Sequence, residues 1–317
     1  MLRRLLVVGF VLSLAAAAPL HAQQALRAAL PPSAPTTALS QHVIVISIDG
    51  LRADAIEAAG ASTMTWLMSS GSATLEAQTV QPSRTLPSHT SMLTGVTPET
   101  HGITWNSDRT DELGTVAVPT VFDLAHDAGY RTAAFFSKSK FNHLVHDGSL
   151  DAVRVPGAGV VPASRIVREA VQYLKHKKPN LLFVHIAEPD FMGHRVGWMT
   201  PPYLWAVREA DAGVGALLEA AESTYGEGNF TVIVTADHGG HGHDHGTDHP
   251  DDTTIPWISW GKGIRAAHDI VGAVRTMDTA ATILQVLGVA VPVEWVGLPV
   301  GEALTTPLRA VAVDGGG

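Results

Sequence analysis

The sequence predicts an α/β fold, a three-layer sandwich in which helices cover both faces of a mainly parallel sheet. Continuous runs of apolar, mostly β-branched residues recur along the chain, which is typical of strands buried on both faces of a parallel sheet. Helical patterns lie between these runs, and such alternation favours this architecture. Because the 317 residues show no internal repeat and no second composition regime, we predict one domain over residues 41–305.

Each predicted element has local signals of its own. The helical patterns begin and end at residues such as Pro119, Gly129 and Gly288, which are common at helix boundaries. The predicted strands are residues 42–48, 131–136, 180–187 and 230–236. The predicted helices are residues 119–129, 162–178, 202–223 and 276–288.

The first 22 residues have the composition of a secretory signal peptide. Two arginines precede an apolar run, and a cleavage site is predicted after Ala22. A retained membrane anchor is the alternative, but the run is short for a span of about 20 residues. Residues 23–40 are predicted to form a flexible leader and residues 306–317 a C-terminal tail. We therefore expect an exported protein, periplasmic or secreted, that has no membrane contact after signal removal.

Composition narrows the range of functions. The chain has no cysteine, so disulfides and thiol chemistry are excluded. The formal net charge of −9 argues against a nucleic-acid-binding surface. It does not exclude a small anionic substrate, because bound divalent ions can invert the charge of a site.

Acidic residues and histidines follow three of the predicted strands. Asp49 ends the first strand, Asp190 and His194 follow the third, and Asp237 and His238 end the fourth. Ligands collect at the carboxyl ends of strands in open α/β sheets, and the spacing of four puts Asp190 and His194 on one helix face. Carboxylate and imidazole ligands suit zinc or a similar divalent ion. Each residue alone could equally be a turn or capping residue, so the metal hypothesis depends on their coincidence.

Thr85 precedes Leu86 and Pro87 in QPSRTLPSHTSMLTG and is predicted as the N-cap of a helix. Free backbone N–H groups and the positive end of the helix dipole converge there, which makes a seat for a phosphate-like anion. A threonine hydroxyl becomes a useful nucleophile when metal coordination lowers its pKa. A purely structural cap is the alternative.

Several motifs together resemble one family. The Asp-Gly pair after the first strand, TLPSHTSMLTGVTPETHGITWN, EPDFMGH and TADHGGHGHDHGTDHPDDTTIPW follow in the order and approximate separations of the type I phosphodiesterase and nucleotide pyrophosphatase family, within the alkaline phosphatase superfamily. The resemblance spans residues 40–300. It implies an alkaline phosphatase-like domain that hydrolyses phosphate esters with two divalent metal ions, expected to be Zn²⁺.

The resemblance also implies a role for each site residue. Thr85 matches the nucleophile, which forms a covalent phospho-threonine intermediate, and Asn106 matches an asparagine that hydrogen-bonds a phosphoryl oxygen. The ligands of the metal that binds the nucleophile match Asp49, Asp237 and His238. The ligands of the other metal match Asp190, His194 and a histidine followed by glycine, for which His245 is predicted over His241 and His243.

The sequence departs from the family pattern in places that affect the choice of substrate. Only six residues separate His238 and His245, where relatives often carry a longer insertion. Trp198 stands where proline often occurs, and Leu298 where arginine is common. A nucleotide-type diester or pyrophosphate, a phosphomonoester and a phosphonate therefore all stay open as substrates.

Two other functions fit part of the sequence. A sulfatase of the same superfamily would need a cysteine or serine where this chain has Thr85. A non-catalytic exported zinc-binding module could use the histidine-rich loop, residues 236–252, but it would have no use for Thr85 and Asn106. The remaining histidines near the motifs are interpreted as structural polar residues, namely His89, His101 and His185. The alternative for His89 and His101, which lie close to the site in the sequence, is that they contact and orient the site residues.

Overall fold

The structure is a computed structural model that describes residues 37–306. The predicted signal peptide, the leader up to residue 36 and the tail from residue 307 lie outside the described residues. Within the described range, the chain folds around one eight-stranded sheet. The strands are β1 Val43–Ile48, β2 Ser72–Gln78, β3 Thr132–Phe135, β4 Ala152–Arg154, β5 Leu181–Ile186, β6 Thr231–Thr235, β7 Thr254–Gly261 and β8 His268–Asp269.

The strand order in the sheet is β4-β3-β5-β1-β6-β7-β2-β8. Central β1 pairs in parallel with β5 and β6, so Ile46 lies between Val184 and Val234. β3 and β4 continue the parallel part, whereas β7 runs antiparallel to both of its neighbours. Every residue of β1, β5 and β6 is buried, as their continuous apolar runs predict. The four predicted strands are confirmed as β1, β3, β5 and β6.

Helices pack on the sheet in two groups. The helices are α1 Ala55–Ala59, α2 Ser62–Ser70, α3 Thr85–Thr94, α4 Pro98–His101, α5 Thr110–Leu113, α6 Val121–Asp127, α7 Ala163–Lys177, α8 Glu188–Val196, α9 Pro201–Tyr225, α10 Pro250–Thr253 and α11 Asp278–Leu287, with 3₁₀ segments at Ser139–Leu144 and Gly301–Ala303. The long helix α9 packs on α1, α2, α7 and α8, whereas α11 packs on α3 and α6. The predicted helices are confirmed as α6, α7, α9 and α11, and so is the three-layer sandwich.

Helix length and hydropathy also bear on membrane contact. Among residues 37–306, no helix combines the length and the apolar character that a membrane span needs.

Candidate active site

Four neighbouring parallel strands end at one edge of the sheet and lead into the polar residues of the site. In sheet order, Lys138 follows β3, Asp190 follows β5, Asp49 follows β1 and Asp237 follows β6. Because these strands are parallel, their carboxyl ends lie side by side. The sheet therefore gathers residues that are far apart in the sequence.

The first cluster consists of Asp49, Asp237 and His238, all buried, whose ligand atoms lie within 4.8 Å of one another. Nε2 of His238 lies 3.4 Å from Oδ1 of Asp49 and 3.2 Å from Oδ2 of Asp237. The backbone N–H of Gly50 donates a hydrogen bond to Oδ1 of Asp237 and fixes that carboxylate. The structure thus brings together the three residues predicted for one metal.

The second cluster consists of Asp190, His194 and His245. Asp190 and His194 lie one turn apart on α8, with Nε2 of His194 3.3 Å from Oδ1 of Asp190. His245 comes from the loop after β6 and places its Nε2 3.5 Å from the same oxygen. The rings of His245 and His238 stack with centroids 3.6 Å apart, so the two clusters are adjacent.

The other predicted candidates from the histidine-rich loop lie elsewhere. Nδ1 of His241 lies 2.7 Å from a carboxylate oxygen of Asp252, and His243 is exposed. Neither histidine belongs to either cluster. The buried ring of His245 places Nδ1 2.9 Å from the backbone oxygen of Ser83, and this contact directs Nε2 towards the second cluster.

Within the two clusters, three buried carboxylate oxygens have no hydrogen-bond partner among residues 37–306, namely Oδ1 of Asp49, Oδ1 of Asp190 and Oδ2 of Asp237. Leaving buried charged groups unpaired is costly. Each of these oxygens faces an imidazole Nε2 at 3.2 to 3.5 Å without bonding to it. Converging carboxylate oxygens and imidazole nitrogens are a ligand set for zinc. The residues therefore fit one divalent ion at each cluster.

The buried negative charge shifts the pKa values of the first cluster. Burial and the neighbouring carboxylate of Asp49 raise the pKa of Asp237 to about 8. Burial lowers the pKa of His238, but the carboxylates of Asp237, Asp49 and Asp190 together outweigh it and raise that pKa to about 9. Burial also acts to raise the pKa of Asp49, yet the ammonium of Lys138 and the nearby imidazoles of His185 and His238 hold it well below its usual range.

Thr85 faces the first cluster, with Oγ1 3.4 Å from Nε2 of His238. The predicted N-cap role is wrong by one position: Arg84 is the N-cap and Thr85 is the first residue of α3. The backbone of Arg84 is extended, at φ −129° and ψ 154°, and its carbonyl already accepts the N–H of Ser88. The Thr85 hydroxyl is therefore free of capping and directed to the cluster.

Asn106 lies beside the start of α3. Its Oδ1 accepts hydrogen bonds from the backbone N–H of Leu86 at 2.9 Å and from Nζ of Lys140 at 3.0 Å. Two donors on one oxygen fix which way the amide points. Across the described part of the chain, Nδ2 of Asn106 has no acceptor, so this donor is available to a bound anion.

Two lysines of the site are missing from the sequence-based prediction. Nζ of Lys138 lies 2.6 Å from Oδ2 of Asp49 and 2.5 Å from Oδ2 of Asp190, so this buried ammonium links the two clusters. Lys140 contacts Asn106. The available signal was position: Lys138 lies closer to the end of its predicted strand, residue 136, than Asp190 does to the end of its own, residue 187.

His185 and His89, which were predicted to be structural residues, contact residues of the site. Nε2 of His185 lies 2.9 Å from Oδ2 of Asp49, and both residues are fully buried. Nδ1 of His89 lies 2.8 Å from the backbone oxygen of Thr85. Such contacts orient the residues that meet a metal or a substrate. His101 is also buried, and its ring bonds the hydroxyl of Ser91 instead.

The sequence of this chain is similar to those of known proteins. The sequence profile of type I phosphodiesterase / nucleotide pyrophosphatase matches residues 43–260. The chain is 24% identical over 241 residues to ectonucleotide pyrophosphatase/phosphodiesterase family member 1 of Mus musculus, a match that covers 66% of this chain and 25% of that protein. It is 27% identical over 226 residues to a venom phosphodiesterase of Macrovipera lebetinus, covering 62% of this chain and 25% of that protein. The chain thus spans about a quarter of the length of these curated relatives.

Among solved structures, the fold is similar to murine ectonucleotide pyrophosphatase / phosphodiesterase 5, in an inactive threonine-to-alanine form in complex with AMP. The TM-score is 0.68 at 17% sequence identity, and the match covers 80% of this chain and 96% of that chain. At this identity the similarity establishes the fold.

Proposed function

This chain belongs to the type I phosphodiesterase / nucleotide pyrophosphatase family, and from this we propose that it is an exported two-metal hydrolase of phosphate esters. The observation that carries the proposal is the position of Thr85 at the start of α3, with its hydroxyl 3.4 Å from Nε2 of His238 and beside the first cluster. A hydroxyl there can act as the nucleophile when a neighbouring cation lowers its pKa. The inactive threonine-to-alanine form of the murine protein supports this role.

Each cluster would hold one divalent ion, for which zinc suits the mixed carboxylate and imidazole ligands. When bound, the two ions would supply Lewis acidity for the attacking hydroxyl and positive charge for the leaving oxygen. The unpaired oxygens of the three aspartates support this assignment. One ion would bind Asp49, Asp237 and His238, and the other Asp190, His194 and His245.

Thr85 would carry the reaction in two displacements. Its Oγ1 first forms a bond to phosphorus and releases its proton to solvent, while the leaving oxygen departs with the bonding electron pair and takes a proton from water. A water oxygen then attacks phosphorus and loses a proton to solvent, while the bond to Oγ1 breaks and Oγ1 takes up a proton that restores the hydroxyl. The free Nδ2 of Asn106 would donate to a non-bridging oxygen, where negative charge develops.

The names of the relatives make nucleotide-type diesters and pyrophosphates the first candidate substrates. A phosphomonoesterase or phosphonate hydrolase would use the same residues and is the second candidate. A sulfatase is disfavoured by Thr85 at the nucleophile position. A non-catalytic zinc-binding module would explain the clusters, but it leaves the placement of Thr85 and Asn106 without a purpose.

Export rests on the signal-peptide character of residues 1–22. The names of the ectonucleotide and venom relatives support it. The N-terminal sequence of protein recovered from the periplasm or medium tests it. We expect the sequence to begin after Ala22, whereas recovery of the intact chain from the cytoplasm would contradict export.

The hydrolase function is tested by assaying p-nitrophenyl phosphate and bis-p-nitrophenyl phosphate side by side. Metal-replete wild type and Thr85→Ala are compared, and the metal content of both is measured. We expect turnover by the wild type and a loss of at least about 10³-fold in Thr85→Ala, with about two metal equivalents bound in each. A wild type that binds metal but hydrolyses neither ester would favour the zinc-binding module instead.

A further inference from the structure

Lys140 is a partly buried cation without an anionic partner. It lies in the 3₁₀ segment Ser139–Leu144 after β3, and its Nζ donates a hydrogen bond to Oδ1 of Asn106 at 3.0 Å. It forms no ion pair with any carboxylate of residues 37–306, whereas Lys138 pairs with two. Because an ammonium has three donors, Lys140 retains donors for a ligand.

The surroundings of Lys140 oppose its charge. Burial and the nearby ammonium of Lys138 lower the pKa of Lys140 to about 8. A cation that is kept out of water beside a second cation is unfavourable unless an anion comes close. The contact with the neutral oxygen of Asn106 does not supply that anion.

The charge balance of the site indicates what the anion is. Two divalent ions together exceed the three ligand aspartates by one positive charge, and an ionised Thr85 hydroxyl cancels that excess. Lys138 and Lys140 then remain as two positive charges without compensation. A phosphate diester brings one negative charge on the transferred group, whereas a monoester brings two.

Lys138 and Lys140 have different partners. The ammonium of Lys138 already contacts two anionic oxygens, the Oδ2 atoms of Asp49 and Asp190. Lys140 instead shares Oδ1 of Asn106 with the backbone N–H of Leu86, the residue after Thr85. Lys140 is therefore the lysine placed to meet a phosphoryl group bound at Thr85.

We propose that Lys140 is a specificity residue whose ammonium pairs with the second negative charge of a terminal phosphoryl group, so that the site favours doubly charged phosphate monoesters over singly charged diesters. The proposal rests on the hydrolase function proposed above and names its substrate class. It reverses the order of candidates that the names of the relatives suggest.

Two readouts at about pH 7, below the pKa of about 8 of Lys140, test the proposal. The first is kcat/KM for p-nitrophenyl phosphate and bis-p-nitrophenyl phosphate on wild type, Lys140→Gln and Lys140→Arg. The second is calorimetric titration of the same esters into metal-loaded Thr85→Ala, with and without Lys140→Gln. Lys175→Gln, which removes an exposed lysine of α7, is the matched control.

We expect the wild type to prefer the monoester and Lys140→Gln to lose about tenfold or more in kcat/KM and in affinity for it, because a charge-assisted contact is removed. For the diester the loss should stay below about threefold, and Lys140→Arg should keep the preference. Equal losses for both esters, or a wild-type preference for the diester, would overturn the proposal. If the wild type hydrolyses neither ester, the hydrolase function fails, and the titration still decides whether Lys140 selects the doubly charged ligand.

Discussion

Nζ of Lys138 lies 2.5 Å from Oδ2 of Asp190, and the same nitrogen lies 2.6 Å from Oδ2 of Asp49. One buried cation therefore holds the outer oxygens of two carboxylates from neighbouring strand ends. Their Oδ1 atoms stay unpaired and face the imidazoles of the two clusters. Lys138 thus positions ligands of both candidate metal sites at once.

Lys138→Met is expected to lower the free energy of unfolding of the metal-free protein by about 3–5 kcal/mol, because two buried carboxylates lose their cation. Chemical denaturation in a chelator measures this change. Lys175→Met, at an exposed position of α7, should leave the free energy of unfolding within about 0.5 kcal/mol of the wild type. A similar small effect of both substitutions would show that the Lys138 ion pairs do not support the fold.

His245→Ala is expected to bind about one metal equivalent instead of two, because the second cluster loses one of its three ligands. Turnover should fall with the lost metal. His241→Ala and His243→Ala, from the same loop but outside both clusters, should keep both equivalents. Metal analysis after dialysis distinguishes the three variants, and loss of metal from His243→Ala with retention in His245→Ala would reverse the assignment.

Asn106→Ala is expected to lower kcat/KM about 10²-fold while metal content is unchanged, because the phosphoryl group loses a preorganised donor. Steady-state kinetics and metal analysis on the same sample test this. Asn142→Ala is the control, since the Asn142 amide donates to Asp108 instead. An unchanged kcat/KM in Asn106→Ala would leave Asn106 with a structural role only.

Trp198 packs between two glycines near the clusters. A Cβ added at Gly193 or Gly240 would lie 2.5 or 2.2 Å from its indole ring. Gly240→Ala is therefore expected to lower the free energy of unfolding by about 1–3 kcal/mol through overpacking. Thermal unfolding measures it, with Gly157→Ala as the control because a Cβ there meets no atom within 4 Å. Equal stability of the two variants would mean that the indole moves without strain.

The ion pair of His146 and Asp123 predicts a pH dependence of stability away from the clusters. Nδ1 of His146 lies 2.8 Å from Oδ2 of Asp123, and this hydrogen bond raises the pKa of His146 above its ordinary value of 6.5. A histidine whose pKa is higher in the folded than in the unfolded state stabilises the fold at pH values below its unfolded-state pKa. This stabilisation is lost as the pH rises through the folded-state pKa. The metal-free wild type should therefore lose more Tm than His146→Gln between about pH 6 and pH 8. Parallel Tm profiles of the two proteins would contradict this.

The central part of the fold was predictable because its signals are local. β1, β5 and β6 are buried on both faces, so their sequences are continuous apolar runs. β2 is only partly buried and carries Glu76, and β7 contains Pro256, so neither has that pattern. β8 has two residues, which is too short to show any periodicity. These strands depend on partners distant in the sequence.

The site was predictable where a residue follows a recognisable strand and matches a family motif. The two lysines were not, because a lysine after a strand usually lies in solvent. Lys138 is buried only because β3 lies next to β5, which brings Asp190 within reach. The offset of Thr85 from the N-cap likewise depends on the backbone conformation of Arg84.

The covalent role of Thr85 is tested most directly by quenching metal-loaded protein with acid during turnover of p-nitrophenyl phosphate. Digestion and mass spectrometry then locate any phosphoryl group. We expect a phosphoryl group on the peptide that contains Thr85, at Thr85 itself, and none in Thr85→Ala. Sustained turnover with no modification of Thr85, or with the phosphoryl group on another residue, would contradict it.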